Sequence, residues 1–423
     1  MTEPATTQTI KRLHDICRAQ EDYASQTLSL MASESYARKE VRKFSSSVFS
    51  NVTTEGFPGA RFHPGSIFAD QIETICIEEA QKAFCCSYAN VQPHSASTAN
   101  AAVLIELADP GSTIMGMELS SGGHLTHGSS ASFSGKIFDS KPYQLTDGLL
   151  DYDQIRDQAL KFRPTVLICG ASSYPRSICF ETFRLIAEEV GAILLADISH
   201  ISGLVLAGLH QSPLGKAHVT TTSTYKQLLG PRGGLILSDH STLPNTSISL
   251  KQRLDHAVFP LTQGTPDLAN IASKAAALSM TQTDQFHDLM SKVIDLASNM
   301  AVRLADVGFK LVTNGTDTHM VLLDLRDHSM TGEDAEKLLE KIGILANRNM
   351  IPGDHRTPTK TSGLRIGTNN LAIRNFATGT LEEIVTILFE LLISRSYPSE
   401  RKIAELRGRV QELCRNHPII DIP

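Results

Sequence analysis

The chain has no excess of positive charge, no paired cysteine spacing and no long apolar run, and each absence removes a class of function. Its 39 Lys and Arg stand against 45 Asp and Glu, a net charge of −6 with pI near 6.2, whereas nucleic-acid binding requires a basic face. Seven cysteines (Cys17, Cys76, Cys85, Cys86, Cys169, Cys179 and Cys414) are odd in number and contain no CxxC pair. That usage suits reduced, mostly buried thiols of a cytoplasmic protein rather than a disulfide framework. The opening MTEPATTQTIKRLHDICRAQ has no apolar core, so no secretory signal is expected. No run of about 18 apolar residues is present to span a membrane. No internal repeat or low-complexity tract interrupts the 423 residues, which suffice for two domains and a large core. At 41% hydrophobic and 20% charged, the composition is that of an ordinary globular protein.

What is present centres on residues 219–234, VTTTSTYKQLLGPRGG. Hydroxylated residues lead into Tyr225 and a single Lys226, a Gly-Pro turn follows, and an apolar run begins at Leu235. The pattern is a strand, a lysine on its end, a tight turn and a second strand. A lysine buried there loses basicity and becomes a nucleophilic amine able to form a Schiff base. From this run alone, a solvated lysine at a strand end fits equally well.

In chain order, residues 8–28 read as a polar helical arm suited to packing on another subunit. Residues 30–65 are loop-rich, with Glu55, Arg61 and His63 among turn residues, and a loop of that length in a compact domain is more often functional than idle. Apolar residues from Ile72 to Phe84 recur on one helical face, with Ser66 as the expected cap. Residues 89–100, ANVQPHSASTAN, place Ser95, Ser97 and Thr98 at a loop-to-helix junction. Such hydroxyls hold a phosphate or simply cap the helix. In GGHLTHG, His124 and His127 lie three apart. No HExxH pattern or third nearby ligand supports a metal there, and a ring stacked on a flat cofactor is the stronger reading. Apolar strands at 165–169 and 192–196 alternate with a helix closed by Gly191, which predicts a parallel sheet covered on both faces. Ser172, Asp197 with His200, and Lys226 all fall just beyond strand ends, where open parallel sheets bind ligands. Residues 271–307 read as one long helix bridging to a second domain. That domain has strands at 309–312 and 320–325, a helix at 332–342, a short strand at 361–368 carrying Arg365, and two closing helices.

Six blocks in this order, NVQPHSASTAN, GGHLTHG, GASSYPR, ADISHISG, TTTSTYKQLLGPRGG and TSGLRIGT, resemble serine hydroxymethyltransferase along nearly the whole chain. The resemblance implies an α/β fold type I transferase dependent on pyridoxal 5'-phosphate (PLP). Its parts would be an N-terminal arm (1–28), a PLP-binding large domain with a mainly parallel sheet (29–285) and a smaller C-terminal α+β domain (286–423). Tetrahydrofolate would be the co-substrate, and the assembly a homodimer or dimer of dimers with sites between subunits. Position by position, the resemblance makes Lys226 the Schiff-base lysine and Asp197 the partner of the pyridinium nitrogen. His124 stacks on the ring, with Ser172 and His200 near the phenolic oxygen. Ser95, Ala96 and Ser97 match the phosphate segment, although Ala96 replaces its usual glycine, and Gly264 matches the point where the neighbouring subunit reaches that phosphate. Arg365 binds the substrate carboxylate with Ser33 beside it, and Glu55 serves the one-carbon unit. Phe62, Leu119, Leu125 and Asn349 fall where the folate is held.

Three positions depart from the family pattern. Thr53 and His63 stand where tyrosines are usual, and Tyr225 replaces the histidine before the lysine. Exchanging a phenol for Thr53 opens space that suits a methyl group, which favours α-methylserine and D-alanine as the amino-acid pair. The ordinary serine/glycine pair is the alternative. A folate-independent β-hydroxy-amino-acid aldolase or transaldolase is a further one, against which Glu55 and Asn349 argue.

Overall fold

The computed structural model describes residues 5–419 apart from 245, 329 and 394–396. Seven strands form the large sheet: β1 (Tyr88–Asn90), β2 (Thr113–Met115), β3 (Asp139–Ser140), β4 (Val166–Cys169), β5 (Ile193–Asp197), β6 (Val219–Ser223) and β7 (Gly234–Ser238). Their spatial order is 3-2-4-5-6-7-1, parallel from β3 through β6, with β7 antiparallel to both β6 and β1. Alternate residues of the central strands enter two different cores. Leu167, Cys169, Leu194, Ala196, Leu235 and Leu237 join one; Val166, Ile168, Leu195 and Ile236 join the other. A sheet covered on both faces needs apolar residues at successive positions, which is why β4 and β5 read as unbroken apolar runs rather than alternating ones.

A four-stranded antiparallel sheet follows: β8 (Lys310–Leu311), β9 (Met320–Asp324), β10 (Asn347–Asn349) and β11 (Gly363–Gly367), in the order 8-9-11-10. Between the sheets, the expected single helix over 271–307 is two, Leu268–Met280 and Asp284–Asp306. The side chain of Thr283 accepts from the Phe286 amide and starts the second helix afresh, so a cap interrupts what apolar spacing alone would continue. Ser66 does not cap the helix Ile67–Phe84 through its side chain. Its hydroxyl donates to the His63 carbonyl instead and so ties down the loop that carries His63.

The first helix, Ala5–Gln26, and the last, Glu400–Asn416, meet at Arg374. This buried guanidinium donates to the carbonyls of His417 (2.6 Å), Thr27 (2.7 Å), Cys414 (3.1 Å) and Ser25 (3.5 Å). Removing it leaves several buried carbonyls unpaired. Arg374→Ala should therefore cost about 3 kcal/mol and lower the urea midpoint; an unchanged midpoint would show that the helix contacts alone hold the ends together.

Candidate active site

Lys226, Asp197, His124, Ser95, Ala96, Ser97, Ser172, His200 and Tyr225 line one cavity of about 190 Å³ at the carboxyl ends of β4–β6. The backbone that builds it is tightly constrained. Gly170, one residue past β4, has φ +133°, and a Cβ there would lie 2.1 Å from the Asp197 carbonyl oxygen. Only glycine lets the chain turn so close to β5 and bring Ser172 to the rim.

Asp197 ends β5 with both carboxylate oxygens engaged. Oδ1 accepts from the Ser199 amide (3.0 Å) and hydroxyl (2.6 Å), and Oδ2 accepts from Asn100 Nδ2 (2.8 Å) and lies 3.1 Å from His127 Nε2. Burial opposes ionisation, but His127, His124 and the Ser199 hydroxyl outweigh it and hold the carboxyl far below the usual carboxylate range. Asn100 is itself fixed by the Thr221 hydroxyl at 2.6 Å. His127, Asn100, Ser199 and Thr221 were not singled out from sequence as supports of Asp197. All four lie inside the quoted blocks, but nothing there says that they converge on one carboxylate. The expectation that His124 and His127 lack a third ligand is corrected: Asp197 completes a group whose ligand atoms lie within 4.8 Å of one another. The two 3.1 Å and shorter contacts of His127 and Asn100 to Oδ2 give that oxygen protein donors of its own.

Lys226 is buried, and its Nζ donates to Ser223 Oγ at 3.1 Å. Burial lowers its pKa, the charge of Arg365 adds to this, and Tyr225 and Asp197 oppose it. The Tyr225 ring has two cations near it, Lys226 Nζ at 4.9 Å and Arg232 Cζ at 4.4 Å from its centroid. His200 is buried and held neutral by burial and by Lys226 and Arg365; its Nδ1 has no hydrogen-bond partner among the described residues. Ser95 caps the 12-residue helix Ala96–Leu107, accepting from the Thr98 amide, and the Thr98 hydroxyl donates back to the Ser95 carbonyl. Thr98 is thus committed to the cap, and the Ser97 hydroxyl remains for an anion at the helix N-terminus.

Arg365 lies on β11, buried, with Nη1 on the Ser172 carbonyl (2.6 Å) and Nε on Asn347 Oδ1 (3.1 Å). Burial lowers its pKa to about 10, and it makes no ion pair among the described residues. Ser33 follows Ala32, which packs so closely on Gly367 that a Cβ there would lie 2.4 Å from the Ala32 Cα. Asn349 donates to Ser173 Oγ at 3.1 Å, and Leu119 and Leu125 are exposed on short 3₁₀ turns flanking His124.

Thr53, Glu55, Phe62, His63 and Gly264 do not line this cavity. The Glu55 amide donates to His63 Nδ1 (3.3 Å), a Cβ on Gly264 would lie 3.2 Å from Glu55 Oε1, and the exposed Phe62 ring packs against Phe259. Thr53 is exposed and lines a neighbouring cavity of about 410 Å³ that adjoins the first at His94 and Arg232. Within the single chain, Thr53 thus lies outside the lining of the Lys226 cavity. Arg61 ties this second cluster down, with Nε on Asp70 (2.8 Å), Nη2 on Glu73 (2.6 Å) and Nη1 on the Gly56 carbonyl (2.7 Å).

A match to the serine hydroxymethyltransferase family spans residues 7–388. Serine hydroxymethyltransferase of Nostoc punctiforme is 44% identical over 427 residues, covering 100% of this chain and 96% of that protein. That of Zymomonas mobilis is 43% identical over 93% of this chain and 91% of its own length. Serine hydroxymethyltransferase 1 of Pseudomonas fluorescens is 43% identical over 93% of each chain. The chain belongs to the serine hydroxymethyltransferase family. It is a fold type I, PLP-dependent one-carbon transferase with tetrahydrofolate as co-substrate. The cavity fits PLP on its own chemistry. It combines a buried amine without a carboxylate partner, a carboxylate held ionised, an unpartnered imidazole nitrogen and hydroxyls at a helix N-terminus.

His124 is mostly buried, and burial lowers its pKa to about 4, with His127 and Lys226 adding to the effect. A folded-state pKa below the unfolded value of about 6.5 stabilises the fold above pH 6.5 and less as pH falls toward 4. In wild type, therefore, the unfolding midpoint should fall over that window, and His124→Phe should flatten part of the fall. A ring-nitrogen NMR titration of His124 with midpoint near 6.5 would contradict this.

Proposed function

We propose that the chain moves a hydroxymethyl group between L-serine and tetrahydrofolate, leaving glycine. The observation that carries this reading is Arg365, a buried guanidinium with no carboxylate partner among the described residues, hydrogen-bonded to the rim of the Lys226 cavity. Its planar fork suits an amino-acid carboxylate, and Ser33 and His63 complete that subsite. Lys226 holds PLP, Asp197 keeps a positive charge on the ring nitrogen, and His124 covers the ring face. Ser172 and His200 donate to the phenolic oxygen, and Ser95, Ala96 and Ser97 cradle the phosphate. Bound there, PLP supplies an electron sink for breaking a bond at the amino-acid Cα. Glu55 holds or moves the proton at the hydroxymethyl oxygen, while Phe62, Leu119, Leu125 and Asn349 hold the folate.

The separation of Glu55, His63, Thr53 and Gly264 from Lys226 supports a homodimer, or dimer of dimers, in which these residues serve the site of the second copy. The apolar residues Ile10, Leu13, Ile16 and Tyr23 along the first helix and Phe62, Ile67 and Phe68 near the second cluster are exposed in the single chain and support the same reading. All seven cysteines are free, and no helix among the described residues is long and apolar enough to cross a membrane. With the free thiols in support, we place the protein in the cytoplasm.

The relatives, all serine hydroxymethyltransferases, favour serine and glycine over the α-methylserine/D-alanine pair expected from Thr53. That second reading keeps one observation, the open cavity beside the short Thr53 side chain. Formation of methylenetetrahydrofolate from L-serine and from α-methylserine separates the two. L-Serine should be the better substrate, and Thr53→Tyr should change its rate less than that of α-methylserine, since a ring in a methyl's space costs about 1–3 kcal/mol. A wild-type preference for α-methylserine would reverse the assignment. Undiminished turnover without tetrahydrofolate would make the chain an aldolase.

Shared sites have their own test. Lys226→Ala and Glu55→Ala should each be inactive, yet mixed chains unfolded and refolded together should regain activity in heterodimers, where one site keeps both residues. No recovery at any mixing ratio would place Glu55 and Lys226 in the same chain's site.

A further inference from the structure

Lys274 stands outside every role above. It lies on the helix Leu268–Met280, is 2% exposed, and points its ammonium at three main-chain carbonyls: Val91 (2.6 Å), Pro93 (3.0 Å) and Gly234 (3.2 Å). It makes no ion pair among the described residues. Three carbonyl acceptors at one nitrogen require three N–H donors, which an ammonium has and a neutral amine lacks.

The carbonyls belong to the two segments that build the cofactor cavity. Val91 and Pro93 lead into Ser95, and Gly234 opens β7 directly after the turn that follows Lys226. The two segments are in close contact: the Gly234 amide donates to the Pro93 carbonyl (3.0 Å), and a Cβ on Gly234 would lie 2.3 Å from the Ser95 carbonyl oxygen. Next to it, a Cβ on Gly233 would lie 2.2 Å from Lys274 Cε, so the end of the lysine stem packs directly on this glycine. Gly233 in turn accepts from the Thr224 amide at 3.1 Å, two residues before Lys226.

We propose that Lys274 is a positioning residue for the cofactor phosphate, its ammonium clamping the segment before Ser95 against the turn after Lys226 so that phosphate donors and reactive amine face one cavity. The inference rests on the reading of Ser95, Ala96 and Ser97 as the phosphate segment. The clamp works only in the protonated state. Burial lowers the Lys274 pKa to about 8, opposed by Cys76 and Glu73 on the helix Ile67–Phe84 and by Asp267 at the start of its own helix. On the open side, His94, Arg232 and Thr53 share its cavity. The clamp should accordingly be intact at neutral pH and loosen as pH rises past about 8.

The test is the ratio of affinities for PLP and for phosphate-free pyridoxal, read from the bound chromophore of the full-length enzyme stripped of cofactor. Lys274→Met should lower this ratio by about tenfold to a hundredfold at pH 7, and Lys274→Gln, which keeps two donors, should lower it less. The wild-type ratio should also fall between pH 7 and 9.5, a window in which the PLP phosphate is already dianionic. That measurement stands even if the variants fail to fold. An unchanged ratio in a folded Lys274→Met, an equal loss of both affinities, or a wild-type ratio flat with pH would each overturn the proposal. Ser97→Asp, which sets a negative charge against the phosphate, tells the two readings apart. If it lowers the ratio and Lys274→Met does not, Lys274 alone is misassigned; if it leaves the ratio untouched, the phosphate segment lies elsewhere and the proposal falls with it.

Discussion

Buried positive charge without a balancing carboxylate is the condition on which this structure depends. Lys226, Arg365 and Lys274 are each at most 7% exposed, and none makes an ion pair among the described residues. Moving a charged group out of water costs several kcal/mol after relaxation, and hydroxyl or carbonyl acceptors recover only part of that. The buried side chains are met by uncharged acceptors: Ser223 for Lys226, the Ser172 carbonyl and Asn347 for Arg365, and three main-chain carbonyls for Lys274. Each group has its own reason to be kept: Arg365 for a substrate carboxylate, Lys226 for the cofactor, and Lys274 for the carbonyls it draws together.

The one buried carboxylate at the centre of the site shows the opposite arrangement. Asp197 is surrounded by donors from three parts of the chain, the β5 end, the helix Ala96–Leu107 and the turn at His127. Because β6 supplies Thr221 to hold Asn100, and Asn100 holds Asp197, the carboxylate is positioned by the sheet itself rather than by a loop. Parallel strands ending at one edge bring Ser172, Asp197 and Lys226 together with little dependence on side-chain packing. Arg365 is different in kind, since it arrives from the second sheet and reaches the large sheet's edge through the Ser172 carbonyl.

Much of this was legible in the sequence because it is carried by local pattern. Unbroken apolar runs announced β4 and β5, and Ser172, Asp197 and His200, at or within three positions of their ends, pointed to one edge of the sheet. What stayed illegible is what depends on packing between distant segments. The break at 281–283 lay hidden because Thr283 restarts a helix whose apolar face continues. That Thr53 and Glu55 do not line the Lys226 cavity of the single chain could not be read from the blocks, because motif order says nothing about where a loop will fold. Lys274 lies in an alanine-rich helix with no motif around it, and only the convergence of three carbonyls reveals it.

Arg365 offers the most direct measurement of the central condition. If the buried guanidinium is held for a substrate carboxylate at the cost of the free protein, replacing it with an apolar side chain should not destabilise the enzyme in the absence of amino acid. Urea unfolding of wild type and Arg365→Leu, each with PLP and with or without saturating L-serine, reads both halves. The predicted result is a variant at least as stable as wild type without serine and no longer stabilised by it, while wild type gains through ligand linkage. A variant that is markedly less stable yet still stabilised by serine would contradict it, making Arg365 a structural cation and moving the carboxylate site elsewhere.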